Sequence, residues 1–137
     1  MTGASIIDHD LIENLSKQNK WSFVKYTENM AALMVDADIA IAASGASSLE
    51  RCCLGLPSIQ FAIAENQRPT ADALSALGAG ISINPDLACL EDDLVFAYEA
   101  ILSVDIRQNM AESAAQLCDG KGVQRVGKVI LDILTAE

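Results

Sequence analysis

The feature that most constrains the fold is an uninterrupted apolar run, DIAIAA, at residues 38–43. A run of this length with a sharp polar boundary is typical of a strand that is covered on both faces of a parallel sheet. Other short segments also have strand character, and they occupy residues 21–26, 58–64 and 80–83. Segments with helical spacing separate these strands. The alternation predicts an α/β fold with a Rossmann-like, three-layer parallel sheet.

Predicted helices fill the rest of the chain. Apolar residues recur with a helical period at residues 8–15, before the first strand, and at residues 27–36, 47–54 and 66–77, between the strands. Thr27 is the predicted N-cap of the second of these helices, and Gly55 and Gly78 are predicted to end the third and the fourth. After Pro85 the pattern is helical only, at residues 91–102, 106–117 and 123–134. The sheet is therefore expected to be followed by a purely helical segment.

Length and charge limit the classes of protein that fit. With 137 residues the chain suits a single domain over residues 1–137, with a helical tail at about residues 91–137. The formal net charge of −10 argues against broad contact with nucleic acid or with an anionic membrane. It leaves room for a small anionic ligand, which backbone N–H groups can bind without any Lys or Arg. The sequence shows neither a signal peptide nor an apolar run of about 18 residues, so we expect a cytoplasmic protein.

The cysteines and the single histidine do not form a metal motif. The four cysteines contain no CxxC pair, and His9 is distant from them in sequence. A zinc site needs repeated Cys and His spacing, so we expect neither a metal nor another cofactor. Reduced and mostly buried thiols are the simplest expectation.

The segment SGASS, at residues 44–48, joins the apolar strand to the next helix. Ligands of parallel α/β sheets bind at such loops, beyond the carboxyl ends of the strands. Gly45 lets a ligand approach the backbone, while Ser47 and Ser48 offer hydroxyl and N–H donors to a phosphate or diphosphate. The alternative is an ordinary turn with a serine N-cap. Neither GxGxxG nor a Walker A sequence is present to decide between the two.

Two further polar groups are expected near this loop. Glu50 lies in the first turn of the following helix, where it either favours the helix dipole or accepts hydrogen bonds from the hydroxyls of a ribose. The segment AENQR, at residues 64–68, follows the next strand and should end at the same edge of the sheet. Its amides could bind sugar hydroxyls or N-acetyl groups, or Asn66 could simply cap the helix.

No nucleophile with an adjacent base is visible, so no catalytic residue is assigned. His9 is expected to have a surface or capping role. The acids Asp86, Glu91, Asp92 and Asp93 surround a helix start and are expected to favour its dipole rather than to bind a metal. The segment DGKG, at residues 119–122, is most simply a loop between two helices.

Three stretches together resemble the C-terminal half of GT-B fold proteins, which include the MurG-type glycosyltransferases. They are SGASSLERCCLGLP, AENQ and DGKGVQRV, and the resemblance spans about residues 29–134. The similarity is greatest to the PseG and SpsG group, which includes UDP-sugar hydrolases of pseudaminic acid biosynthesis. The resemblance implies a site for UDP or a UDP-sugar and an N-terminus truncated relative to the family.

The resemblance also implies a role for each site residue. The diphosphate would contact Ser44, Gly45, Ala46, Ser47 and Ser48. Glu50 would bind the ribose, and Asn66 with Gln67 the sugar. In the hydrolases water releases UDP from a UDP-diacetamido-trideoxyhexose, and the base is expected in an N-terminal domain that this chain would lack. A fragment alone would then be inactive.

Two alternative functions and two partners are also expected. The alternatives to a hydrolase half are the donor-binding domain of a MurG-like glycosyltransferase and a non-catalytic nucleotide-binding or scaffold domain. The expected partners are the missing domain of the parent protein and, because exposed sheet edges and apolar surface favour association, a second copy in a homodimer.

Overall fold

The structure is a computed structural model, and it describes residues 9–83 and 89–135. The chain divides into two compact units, residues 1–32 and residues 33–137. The helix of the first unit is α1 (His9–Asn19). Its surface carries an ion pair between Lys17 and Glu13, whose Nζ and Oε1 atoms lie 2.8 Å apart.

The strand predicted at residues 21–26 is wrong, because these residues form no strand. Aromatic and β-branched residues favoured the prediction, yet a strand also needs a neighbour with which to exchange hydrogen bonds. Trp21 and Tyr26 are instead exposed. Strand propensity therefore overstated the size of the sheet.

The next helix is α2 (Met30–Val35), and its N-cap differs from the prediction. The side-chain oxygen Oδ1 of Asn29 accepts a hydrogen bond of 3.0 Å from the N–H of Ala32. The hydroxyl of Thr27 accepts one of the same length from the N–H of Asn29, one step before the helix. Asn29, not Thr27, therefore caps α2, because only its side chain reaches an N–H group inside the first turn.

The sheet consists of three parallel strands, β1 (Ala40–Ala43), β2 (Ser58–Phe61) and β3 (Ile81–Ile83). They lie in the order β1-β2-β3, with Ile41 opposite Ile59 and Ile59 opposite Ile81. Helix α3 (Ser47–Cys53) connects β1 to β2. A short 3₁₀ turn (Glu65–Gln67) and α4 (Arg68–Ala76) connect β2 to β3. The predicted α/β fold with a parallel sheet is confirmed.

Glycines end the two connecting helices, as predicted. Gly55 follows α3 with a φ of +62°, and Gly78 follows α4 with a φ of +69°. This left-handed conformation costs glycine little, because it has no Cβ atom. Each helix therefore stops soon enough for the chain to return to the sheet.

Three helices follow the sheet, α5 (Leu90–Ile101), α6 (Val104–Leu117) and α7 (Gly122–Leu134), so the helical C-terminal segment is confirmed. One core cluster joins strands to α5 and α6, and it contains Ile59, Ile83, Ala97, Ile101 and Met110. A second joins α3 and α4 to α6, and it contains Cys52, Leu74, Ala79 and Ala114. The helices α5 and α6 thus share the core of the sheet, whereas α7 buries none of its residues.

The expectation for the cysteines is confirmed only in part. All four cysteines are free thiols, but only Cys52 is buried, while Cys53 and Cys89 are exposed. The expectation of mostly buried thiols is therefore wrong.

In the described ranges, no helix has the length and apolar character needed to cross a membrane.

Candidate functional site

The loop after β1 carries a row of backbone donors, and we call residues 44–48 the serine loop. The N–H of Ser44 donates to the carbonyl of Phe61 over 2.8 Å, and that of Ser48 donates to the carbonyl of Gly45 over 3.0 Å. The N–H groups of Gly45, Ala46 and Ser47 find no acceptor within the described part of the chain. Consecutive free N–H groups on a turn are a common way to bind an anion.

The serine N-cap, the alternative explanation for this loop, is not what the structure shows. Ala46 occupies the N-cap position of α3 with helical backbone angles, and no side chain caps the helix. The hydroxyls of Ser47 and Ser48 are engaged elsewhere, because both accept hydrogen bonds from Arg51. The loop therefore keeps its free N–H groups instead of satisfying them with its own serines.

The buried side chain of Arg51 forms hydrogen bonds with the serine loop. Its Nη1 atom donates to Ser47 Oγ over 3.1 Å. Its Nη2 atom donates to Ser48 Oγ over 3.0 Å and to the carbonyl of Ala43 over 3.2 Å. Only 3% of the residue is exposed. The guanidinium thus connects the end of β1 to both serines at the start of α3.

The environment of Arg51 is unusual for a cation. None of the carboxylates in residues 9–83 and 89–135 lies within ion-pair distance of it. Burial lowers the pKa of the Arg51 guanidinium, and Cys52 and Glu50 oppose that shift. A guanidinium nevertheless stays protonated at neutral pH, so the charge is present without an ion-pair partner among these residues.

Sequence reasoning missed Arg51, although a signal was present. It follows Ser48 by three residues and Ser47 by four, which places all three side chains on one face of a helix. Burial raises the pKa of the neighbouring Cys52 thiol, so Cys52 stays a neutral packing residue rather than a nucleophile.

The predicted diphosphate ligands differ in access to solvent. Ala46 is exposed and Ser47 is half-buried, whereas Ser44 and Ser48 are 2% and 1% exposed. Ser47 accepts a hydrogen bond from Arg51 and keeps its own O–H free to donate. Ser48 instead uses both its N–H and its hydroxyl oxygen within the protein. A direct contact of Ser48 with a ligand stays a prediction, and its observed contact is with Arg51.

Glu50 is exposed in the first turn of α3, one residue before Arg51. Its carboxylate makes no ion pair or hydrogen bond with the part of the chain that the structure describes. Both oxygens are therefore available to accept hydrogen bonds from the two hydroxyls of a ribose.

The segment after β2 reaches the serine loop, as expected for adjacent parallel strands. A Cβ atom on Gly45 would lie 3.8 Å from Gln67 Nε2. The Oε1 atom of Gln67 accepts a hydrogen bond of 3.1 Å from the N–H of Ile63, which fixes the orientation of the amide. Asn66 is exposed and caps no helix, so the capping alternative is wrong. Arg68 pairs with Glu65 over 3.1 Å at the surface.

An open cavity of about 440 Å³ lies farther along the same edge, where β2 and β3 end beside α4. It is lined by Ala62, Arg68, Asp72, Ser75, Ala76, Ser82 and Ile83. None of these residues belongs to the serine loop. The cavity is therefore distinct from the serine loop.

The other candidate residues belong to other segments of the sequence. His9 is the first residue of α1, and Asp86 lies outside the described residues. Glu91, Asp92 and Asp93 are exposed in the first turn of α5, where acids favour the helix dipole. Within residues 9–83 and 89–135, no group of three or more His, Cys, Asp or Glu residues is placed to hold a metal ion.

The fold and the loop define a class of protein: a parallel α/β domain with free backbone N–H groups in the loop at the carboxyl end of a strand. The glycosyltransferase family 28 C-terminal domain matches residues 1–126, and the chain belongs to this family. It is also 28% identical over 138 residues to the spore coat polysaccharide biosynthesis protein SpsG of Bacillus subtilis (strain 168). That match covers all of this chain and 41% of the relative. The predicted resemblance to PseG- and SpsG-like GT-B proteins is confirmed.

Proposed function

We propose that the chain binds the nucleotide of a UDP-sugar, as half of a UDP-sugar hydrolase in nonulosonic acid and surface polysaccharide biosynthesis. The observation that carries the proposal is the row of free N–H groups at Gly45, Ala46 and Ser47, with the charge of Arg51 behind it. Membership of the glycosyltransferase family and the similarity to a polysaccharide biosynthesis protein support the choice of a sugar nucleotide.

Each part of the site has a proposed role. The serine loop binds the diphosphate, Glu50 accepts the hydrogen bonds of the ribose hydroxyls, and Asn66 with Gln67 contacts the sugar. Because Gln67 lies beside Gly45, a sugar attached to the diphosphate would begin within reach of its amide. The diphosphate and the sugar would therefore lie side by side along the edge of the sheet, the diphosphate at the end of β1 and the sugar at the end of β2.

In the proposed reaction a water oxygen bonds to the anomeric carbon while the bond from that carbon to the diphosphate oxygen breaks. UDP leaves with the bonding electrons, and a base removes the proton from the attacking water. Donors around the diphosphate stabilise the negative charge that grows on the leaving oxygen. We assign the base to a partner domain of a longer parent protein, since the chain spans 41% of the length of the SpsG relative.

Calorimetric or NMR titration of the chain with UDP, UMP, uridine and pyrophosphate tests the nucleotide site. Ser47→Ala should weaken UDP about tenfold or more, because a hydrogen bond to a charged group contributes about 1.5–3 kcal/mol. Glu50→Ala should weaken UDP and uridine but not pyrophosphate, because only the ribose has hydroxyls to donate. Glu91→Ala is the matched control, since Glu91 is also exposed in the first turn of a helix.

The absence of any preference for uridine nucleotides at millimolar ligand would contradict the proposal. The leading alternative is a MurG-like glycosyltransferase, which the family match itself favours. The parent protein separates the two: a hydrolase releases UDP from the UDP-sugar with water alone, whereas a transferase needs an acceptor. Cytoplasmic location and a homodimer stay predictions, the latter consistent with the exposed apolar residues of α7.

A further inference from the structure

Arg51 differs from the other arginines of the chain. Arg68 and Arg125 are exposed and pair with carboxylates. Arg107 is half-buried and donates to the carbonyls of Ile101 and Leu102 at the end of α5. Arg51 is the most deeply buried, and only neutral oxygen atoms accept its hydrogen bonds. A buried charge of this kind is costly to keep unless something compensates it.

We propose that Arg51 is the fixed counter-charge for the ligand's diphosphate and acts through the hydroxyl of Ser47, not by direct contact. This inference rests on the proposed function, because it assigns the diphosphate to the serine loop. It makes Arg51 a positioning residue. The anion supplies a negative charge in addition to that of the exposed Glu50, which forms no ion pair with Arg51.

The hydrogen bonds show how the charge reaches the ligand. Because Ser47 Oγ accepts from Nη1 over 3.1 Å, its proton points away from the guanidinium and is free to donate. A hydroxyl that accepts from a cation is polarised and becomes a stronger donor. A phosphate oxygen bound to that proton would lie about 5–6 Å from Nη1. Because Arg51 is buried, water screens its charge only in part, and at that distance the positive charge still attracts the anion.

Two buried polar atoms belong to Arg51 and to the first residue of the serine loop. Ser44 Oγ and Arg51 Nε have no hydrogen-bond partner among the described residues. Ser44 directly follows Ala43, whose carbonyl accepts from Arg51 Nη2. Buried polar atoms are nearly always satisfied, and exceptions concentrate where a ligand or water completes the network. Unsatisfied polar atoms therefore lie both in the guanidinium group and at the start of the serine loop.

Charge and hydrogen-bond geometry can be separated by substitution. Arg51→Gln keeps a planar amide with N–H donors but removes the charge. Arg51→Lys keeps the charge but loses the fork that reaches both serines and a carbonyl. Arg107→Gln is the matched control, because Arg107 also donates to backbone carbonyls but lies away from the serine loop.

The experiment measures the ratio of UDP affinity to uridine affinity on the full chain, at constant ionic strength, and the thermal shift with pyrophosphate. Arg51→Gln should reduce the ratio at least tenfold and abolish the pyrophosphate shift, since charge-assisted hydrogen bonds are the stronger ones. Arg51→Lys should retain most of both, and Arg107→Gln should leave both unchanged. A purely structural residue would weaken uridine and UDP alike and would not change the ratio.

The inference would be overturned if Arg51→Gln kept the wild-type ratio of UDP affinity to uridine affinity. It would also be overturned if Arg51→Lys reduced that ratio as much as Arg51→Gln does. If Arg51→Gln does not fold, Arg51→Lys decides alone: a ratio near that of the wild type supports the inference, and a tenfold loss overturns it. Failure of the proposed function would give a different result from failure of this inference. In that case the wild type would bind pyrophosphate in an Arg51-dependent way while showing no preference for uridine nucleotides.

Discussion

Gly80 is a residue at which the structure leaves little room for a side chain. A Cβ atom there would lie 3.1 Å from Gln60 Nε2 and 3.3 Å from the carbonyl oxygen of Ser58. Gln60 is buried in β2, and its amide donates to the carbonyl of Ala71 over 3.4 Å. The side chain of Gln60 therefore cannot move aside without giving up a buried hydrogen bond.

Gly80→Ala should accordingly lower the free energy of unfolding by about 1–3 kcal/mol, as overpacking does in other cores. Urea denaturation followed by circular dichroism measures the effect. Gly127→Ala is the matched control, because a Cβ atom on Gly127 meets nothing within 4 Å. Equal stability of the Gly80→Ala and wild-type chains would contradict this account of the packing.

At the residue scale, the sequence predicted which groups share the edge of the sheet. Gly45 and Gln67 meet because parallel strands end side by side, which depends only on the order of the elements. The burial of Arg51 was not predictable in this way. Its spacing from Ser47 and Ser48 is visible in the sequence, but its burial and its lack of an ion pair with a described carboxylate depend on the packing of the whole unit.

At the element scale, Asp119 holds the start of α7. Its Oδ1 atom accepts the N–H of Lys121 over 3.0 Å, and its Oδ2 atom pairs with Arg125 over 2.7 Å. The hydrogen bond from Arg125, followed by the one from the Lys121 backbone, holds the pKa of the Asp119 carboxyl below its ordinary value of 3.8. The loop residues DGKG thus serve to begin a helix.

This shift sets the pH dependence of α7. A carboxyl whose pKa is lower in the folded state stabilises the fold above its ordinary pKa, and the stabilisation is lost as the pH falls through the folded value. Acid should therefore loosen the start of α7 below about pH 3.8. Asp119→Asn should remove this step from an NMR titration of the α7 amides. Asp132→Asn, in the same helix, should leave it in place, and persistence of the step in Asp119→Asn would contradict the assignment.

Helices were easier to predict than strands. Gly55 and Gly78 mark the ends of α3 and α4 by their own backbone preference, so the local sequence suffices. A strand exists only where another strand pairs with it, and the segment at residues 21–26 has no such neighbour in the described structure. The same reason shortened β2 from the predicted residues 58–64 to Ser58–Phe61.

At the scale of the whole molecule, one core joins the sheet to the helices that follow it. Ile101 of α5 is fully buried with Ile59 of β2, Ile83 of β3 and Met110 of α6. Met110 also accepts a hydrogen bond of 3.3 Å at its sulfur from the N–H of Ser58. The strand β1 and the first residue of the serine loop form hydrogen bonds with β2, and β2 contributes Ile59 to this core. The core therefore supports the strand next to the candidate site.

Ile101→Ala should therefore destabilise the sheet and the helices together, by about 2–5 kcal/mol, the usual cost of emptying a buried isoleucine site. Urea denaturation followed by circular dichroism should show one transition at lower urea, and NMR should show the amides of β2 and α6 losing protection in parallel. Leu102→Ala is the matched control, since Leu102 adjoins Ile101 but is 51% exposed. Separate transitions for β2 and α6 would show that the helical segment is not part of the structure that holds the site.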